Sequence, residues 1–146
     1  NAEAAVFNGA DMTGVRASEN NNFRFARFKA AQMQGANLEH AQCDSADFSY
    51  ADMHDVNLSG ASLLDANLNC ADMRSGKLVK TMLTNTIMTQ ANFFEATFEQ
   101  AQIKQANLQR ANLYSAEFLD TEIEASDFSG ANIRMTKLLK DDRVKA

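Results

Sequence analysis

Between Phe23 and Leu138 a large apolar residue returns every fifth position without a gap. The series runs Phe23, Phe28, Met33, Leu38, Cys43, Phe48, Met53, Leu58, Leu63, Leu68 and Met73, then on through Phe93, Phe98, Ile103, Leu108, Leu113, Phe118, Ile123, Phe128 and Ile133. That makes 24 units, and in 16 of them the residue two places before the apolar centre is Ala; most of the others have Gly, Ser or Thr there, with Asn21 and Val56 the exceptions. A period of five fits neither regular element. On an α-helix it turns each centre by roughly 140° and scatters them around the axis. Along a continuous strand an odd step sends successive centres to opposite faces. The pattern buries itself only if the chain turns a corner within every unit, so that all centres point to one axis. The small residue, two places earlier, then shares the inward side with the centre, and a large and a small side chain together fill a narrow interior.

The units ANLEH, ADMHD, ANLNC, ANLQR and ANLYS resemble the A(D/N)LXX motif of the pentapeptide-repeat proteins, and the resemblance covers residues 21–140. It implies an all-β fold, a right-handed quadrilateral β-helix with four units per square coil. The period alone does not separate four sides from three; Met33, Met53 and Met73, each one coil apart on a square, agree with four. Six such coils would make a rod ~29 Å long at the usual strand spacing. Stacked coils leave open edges only at the two ends, where repeat rods need caps.

The ends depart from the pattern. Phe7, Met12 and the weak centre Ala17 follow an earlier phase, and Phe23 falls one residue late. Residues 1–20 therefore read as a partial coil, with a separate cap as the alternative and a bulge or short loop at Ser18–Asn22. Residues 141–146 read as a tail. The stretch with Met135, Leu138 and Leu139 is expected to cap the last coil, with a helical turn as one form, and its charged end, Lys140–Lys145, to fray. In the middle, Val79, Met82 and Ile87 occupy positions that should face water, on different sides of the rod; single exposed apolar residues are ordinary.

Composition narrows the function classes. The 146-residue chain has a formal charge of −5. Direct nucleic-acid binding, which needs a surplus of Lys and Arg, is not expected. No apolar run approaches the ~20 residues of a membrane span, and no leader peptide is visible. The sequence reads as cytoplasmic, with a secreted effector left open because it starts at Asn1 rather than Met. A filled rod has no cleft for catalysis, so no enzyme, cofactor or metal is expected. His40 and His54 lack ligand spacing and should be solvated. Cys43 is a buried centre and Cys70 faces out, so a disulfide between them is not expected.

What remains is the outer surface. Stacking at one coil's spacing makes a column of Gln34, His54, Arg74, Phe94, Tyr114 and Arg134. Arg74, Phe94, Tyr114 and Arg134 form the candidate partner-binding surface, since exposed aromatic residues and arginines are typical of interface hot spots. The competing reading is a ladder of stacked rings and cation–π contacts that only braces adjacent coils. Asp44, Asp47, Asp52, Asp55, Asp65 and Asp72 spread over three sides, while Arg16, Arg24, Arg27 and Lys29 make the N-terminal end basic. The expected role is a noncatalytic interaction or scaffold module of a larger protein, with a protein partner, as a monomer or an end-to-end dimer. The resemblance also implies an alternative: some members of the family imitate duplex DNA and bind gyrase, giving quinolone protection or inhibition.

Overall fold

The computed structural model describes residues 1–17 and 21–140, with Val144. Parallel bridges join residue pairs one coil apart: Asn22 to Gln42, Arg27 to Asp47, Gln32 to Asp52 and Asn37 to Asn57, a pattern that continues to Asn112 and Asn132. Each partner lies 20 residues on and each bridge five residues after the last. Four short sides therefore make one coil. Most sides are single bridges; on one side the pairing extends to two short strands, β1 (Gln102–Lys104) and β2 (Glu122–Glu124), parallel and in register. The first side carries Phe23, Cys43, Leu63, Leu83, Ile103 and Ile123. The second carries Phe28, Phe48, Leu68, Met88, Leu108 and Phe128, the third Met33, Met53, Met73, Phe93, Leu113 and Ile133, and the fourth Leu38, Leu58, Leu78, Phe98 and Phe118.

A turn at each corner makes the square. Its first residue is the apolar centre, whose carbonyl accepts from the N–H three residues on, as Met33 does from Ala36 at 3.0 Å and Leu68 from Ala71 at 3.0 Å. The third residue lies in the left-handed region, as His40 (φ 57°), Tyr50 (φ 61°) and Arg110 (φ 57°) do, which is the type II pattern. Glycine favours that conformation, yet most corners carry other residues, so neighbouring coils hold the strain. Gly60 is a corner where the side chain also matters: a Cβ there would run into the His40 ring of the coil before. The Asp or Asn before each centre steadies the corner. Its side-chain oxygen accepts the N–H two residues on, as Asn37 does for Glu39 and Asn67 for Asn69, both at 3.0 Å.

The interior is filled. Leu38, Phe48, Met53, Leu58, Leu63, Leu68, Phe93, Phe98, Leu108, Leu113 and Phe128 are fully buried, with Ala at the small positions beside them. Aromatic centres stack at the coil pitch: Phe7 on Phe28 at 5.0 Å, Phe28 on Phe48 at 4.8 Å. Exceptions at the small position are compensated locally. Val56 lies under Gly76, where an added Cβ would meet the Val56 methyl at 3.5 Å and the Met73 carbonyl at 2.9 Å. Thr81, Thr86 and Thr121 donate their hydroxyls to the carbonyls of Leu58, Leu63 and Phe98 at 2.9, 3.1 and 2.7 Å. No buried side-chain polar atom lacks a partner among the described residues.

Both ends differ from the sequence reading. The N-terminal segment pairs with the first full coil 21 residues on, Val6 with Arg27, Asp11 with Gln32 and Arg16 with Asn37. The extra residue of register accounts for the phase change; Ser18–Asn20, in the expected loop, are outside the described residues. Ala2 also opens a corner, its carbonyl accepting from Ala5 at 3.0 Å, so this segment supplies one unit more than Phe7, Met12 and Ala17. At the other end a 3-10 helix, Lys137–Lys140, leaves the coil and buries Leu138. Phe118, expected in the core, is only half-buried. Its ring stacks on Phe98 at 4.9 Å, but among the described residues no coil side lies over it. The expected fraying beyond Lys140 falls outside the described residues, apart from Val144, which is buried. No helix is long and apolar enough to cross a membrane among the described residues.

Replacing Leu58 by Ala is expected to cost about 2–5 kcal/mol, because the rigid neighbours of a stacked core cannot collapse into the gap. Asn69→Ala on the outside should cost less than about 0.5 kcal/mol. Urea unfolding of the two variants checks both; equal midpoints would contradict an interior built on the centres.

Candidate interaction surface

The position directly after each centre is the second residue of a corner and points outward. On the third side it is held by Gln34, His54, Arg74, Phe94, Tyr114 and Arg134, each beside an Asp or Asn at the position before its centre, except Gln34, whose unit has Gln32 there. The lower half of this column is tied together by polar bonds. The Thr13 hydroxyl donates to Gln34 Oε1 at 2.8 Å, Gln34 Nε2 to Asp52 Oδ2 at 2.7 Å, and His54 Nδ1 lies 2.8 Å from Asp52 Oδ1. Burial pushes the Asp52 carboxyl up, but the bonds from His54 and Gln34 outweigh it and hold the group below its ordinary value. Arg74 turns back onto Asp72: Nε lies 2.9 Å from each carboxylate oxygen and Nη2 2.8 Å from Oδ2. The bonds to Asp72, with Asp52 and Asp55 adding to the field, push the guanidinium above its ordinary value.

The upper half is aromatic. Phe94 and Tyr114 stack with ring centroids 5.7 Å apart and planes 6° from parallel, and both are half-buried. The structure thus places these two candidates against each other and not with the arginines. Arg74 is engaged by Asp72, and the exposed Arg134 joins the coil before it through its backbone carbonyl, which accepts from Ser115 at 3.0 Å. Among the described residues the cation lying over a ring is Lys29, 5.8 Å from the centroid of Tyr50 on the second side. Beside the rings, Asn92, Asn112 and Asn132 form a ladder, Asn112 donating to Asn92 at 2.9 Å and Asn132 to Asn112 at 3.0 Å.

The other polar candidates are absorbed locally. Asp44 accepts from Ser62 and lies 3.6 Å from Arg24. Asp47 accepts from Asn67 at 3.1 Å, and Asp65 from Asn85 at 3.1 Å. His40 lies 3.9 Å from Glu39. Cys43 is buried, and burial pushes its thiol up to about 12; Cys70 Sγ lies 3.5 Å from Gln90 Oε1. Among the described residues no three His, Cys, Asp or Glu side chains converge to hold a metal. Phe25, Tyr50 and Leu119 are exposed and were not singled out by sequence, and Met135, in the stretch expected to cap the last coil, is exposed too. An aromatic two places after a centre, at the corner's third residue, was the available signal for Phe25 and Tyr50.

The family profile for pentapeptide repeats matches residues 26–65, 51–90, 91–130 and 106–138, with eight copies. No curated protein sequence matches the chain. Among solved structures, HetL, a pentapeptide repeat protein involved in heterocyst differentiation regulation from the cyanobacterium Nostoc sp. strain PCC 7120, superposes with a TM-score of 0.63 at 19% identity, over 91% of this chain and 86% of HetL. A trypsin-treated form of QnrB1, a plasmid-mediated fluoroquinolone resistance protein, superposes with a TM-score of 0.51 at 16% identity, over 86% of this chain and 71% of that one. At such identities the likeness is one of fold.

Asp11, Asp52 and Asp127 are all held below their ordinary values, Asp11 by Thr13 and Asp127 by Ser129 and Gln109. Folded values below the unfolded ~3.9 give stability that is present above that pH and lost as pH falls through the folded values. Unfolding midpoints should therefore drop once pH falls below about 4. Asp52→Asn and Asp127→Asn should each make that drop shallower; an unchanged acid limb in both would contradict the assignment.

Proposed function

The chain belongs to the pentapeptide-repeat family, and on that premise we propose that it acts as a noncatalytic protein-interaction or structural scaffold module. In this reading it is a right-handed square rod of about six full coils beyond the N-terminal one, rigid because every coil is bonded to its neighbours. The observation that carries it is the filled interior: centres and small residues are buried along the length of the rod. Recognition is thereby left to the outward positions. On the third side the Phe94–Tyr114 pair offers a flat, half-buried aromatic surface between Arg74 and Arg134. Aromatic residues held rigid by stacking lose little entropy on binding, so such a pair suits a protein partner. The rod works as a monomer or an end-to-end dimer.

A second reading, a DNA mimic that binds gyrase, draws support from the QnrB1-like fold and a net charge of −5. Against it, the carboxylates lie on different sides and several are bonded locally: Asp72 to Arg74, Asp44 to Arg24 and Ser62, Asp47 to Asn67. A continuous negative face is what mimicry needs. We therefore place the scaffold first.

Changing Phe94 and Tyr114 together to Ala should abolish capture of the partners retained by the intact chain, whereas Tyr50→Ala on the second side should not. The double change removes a ring contact worth about 0.5–1.5 kcal/mol beyond its buried area, and an unfolding curve of the double variant separates loss of binding from loss of fold. Intact capture by the double variant would refute the surface. In a gyrase supercoiling assay the chain is expected neither to inhibit nor to protect against quinolones; either effect would put the mimic first.

A further inference from the structure

On the fourth side each coil joins the next through three backbone bonds. The N–H of Leu78 donates to Thr97 at 2.8 Å, that of Lys80 to Glu99 at 2.8 Å, and that of Thr97 back to Gly76 at 2.9 Å. One coil on, Phe98 donates to Glu117 at 2.7 Å, Gln100 to Leu119 at 2.8 Å, and Glu117 to Ala96 at 2.9 Å. By the same rule the next coil should accept from Phe118 and Asp120 and donate to the carbonyl of Ala116. Those partners would be residues 137 and 139, but the chain winds there into the 3-10 helix Lys137–Lys140. The N–H groups of Phe118 and Asp120 and the carbonyl of Ala116 have no partner among the described residues.

The other sides of this end are closed: the last centres Ile123, Phe128 and Ile133 are 5%, 0% and 8% exposed. On the fourth side a groove of about 470 Å³ remains, lined by residues 115–119, Met135 and Lys137. Leu119 is 51% exposed and Met135 71%. Glu117, in the lining, and Asp120, three residues on, are exposed and form no ion pair among the described residues, with Glu99 one coil before. Lys137 is the opposing charge in the lining.

We infer that this open side is a strand-addition site, taking a short extended segment of a partner protein that runs parallel to residues 116–120. These backbone groups, without a partner among the described residues, fix the conformation of the occupant. Its residue before the anchor donates to Ala116 and accepts from Phe118, and its residue after the anchor accepts from Asp120. The anchor is large and apolar, because it stacks on the half-buried Phe118 ring as Phe118 stacks on Phe98. The flanking charges are basic: the residue before the anchor lies over Glu117, and the one two places after it lies over Asp120. The residue between, over Leu119, is apolar. The site is on a different side from the Phe94–Tyr114 surface and does not depend on it.

The test uses the full chain with a labelled, end-blocked peptide AKFLK as probe, read by fluorescence anisotropy and by amide exchange. Saturable binding is expected, with exchange slowed at the Phe118 and Asp120 amides. Methylating the peptide nitrogen of the Lys before the anchor should weaken binding roughly tenfold, and the acidic peptide AEFLE should bind worse by a similar factor. Glu117→Lys with Asp120→Lys, both on the surface, should reverse the preference between the two peptides, while Phe94→Ala with Tyr114→Ala should change nothing. Absence of binding, protection elsewhere than Phe118 and Asp120, or indifference to N-methylation would each overturn the proposal. So would sedimentation showing that the chain alone self-associates with those amides already protected, which would assign the groove to a second copy.

Discussion

Each coil of this rod is held to the next by backbone hydrogen bonds that close only if every corner falls in register, and the rest of the structure depends on that ladder. A side is too short to be a stable strand by itself. Bonded above and below, it becomes part of a continuous parallel surface. The left-handed corner residues show the consequence. Tyr50, Asp55 and Lys80 would avoid positive φ in isolation, yet all adopt it here, because the ladder and the buried centres outweigh a local cost of about 1 kcal/mol or more at each.

The ladder also explains how substitutions are shared between coils. Many side chains in this fold pack against residues one coil before or one coil after, far from them in sequence. Val56 is tolerated because Gly76 lies next to it in the stack, and buried threonines are tolerated because a carbonyl of the coil before is in reach of each hydroxyl. The same vertical logic shapes the surface. Phe94 meets Tyr114, Asn92 meets Asn112, and Gln34 meets Asp52 and, through it, His54. Function on such a rod is therefore written in columns, and where a column is interrupted the surface changes character. The third side passes from a bonded polar run to an aromatic one between Arg74 and Phe94. The fourth side simply stops at Phe118.

Most of the fold was legible because the five-residue beat carries one meaning at every repeat. A large residue preceded by a small one has nowhere to go but inward. The column of Gln34, His54, Arg74, Phe94, Tyr114 and Arg134 was legible too, once four sides were taken. The ring contact followed from that register. What was not legible was the choice an individual polar side chain makes among several partners in reach. Arg74 has the choice of a ring or a carboxylate, and it takes Asp72, where a bidentate charged contact is stronger than a cation over a ring. The exposed Phe25 and Tyr50 went unremarked because the corner's third position looks, in sequence, like free variation.

By itself, then, the sequence determined the inward centres, the corner in every unit and the phase change before Phe23, since each is a matter of local spacing and side-chain size. Only the tertiary structure decided the ends. Leu138 keeps the period in sequence, yet the backbone there winds into a 3-10 helix, and Phe118 is only half-buried. A repeat specifies its own neighbours; it carries no signal for where neighbours run out.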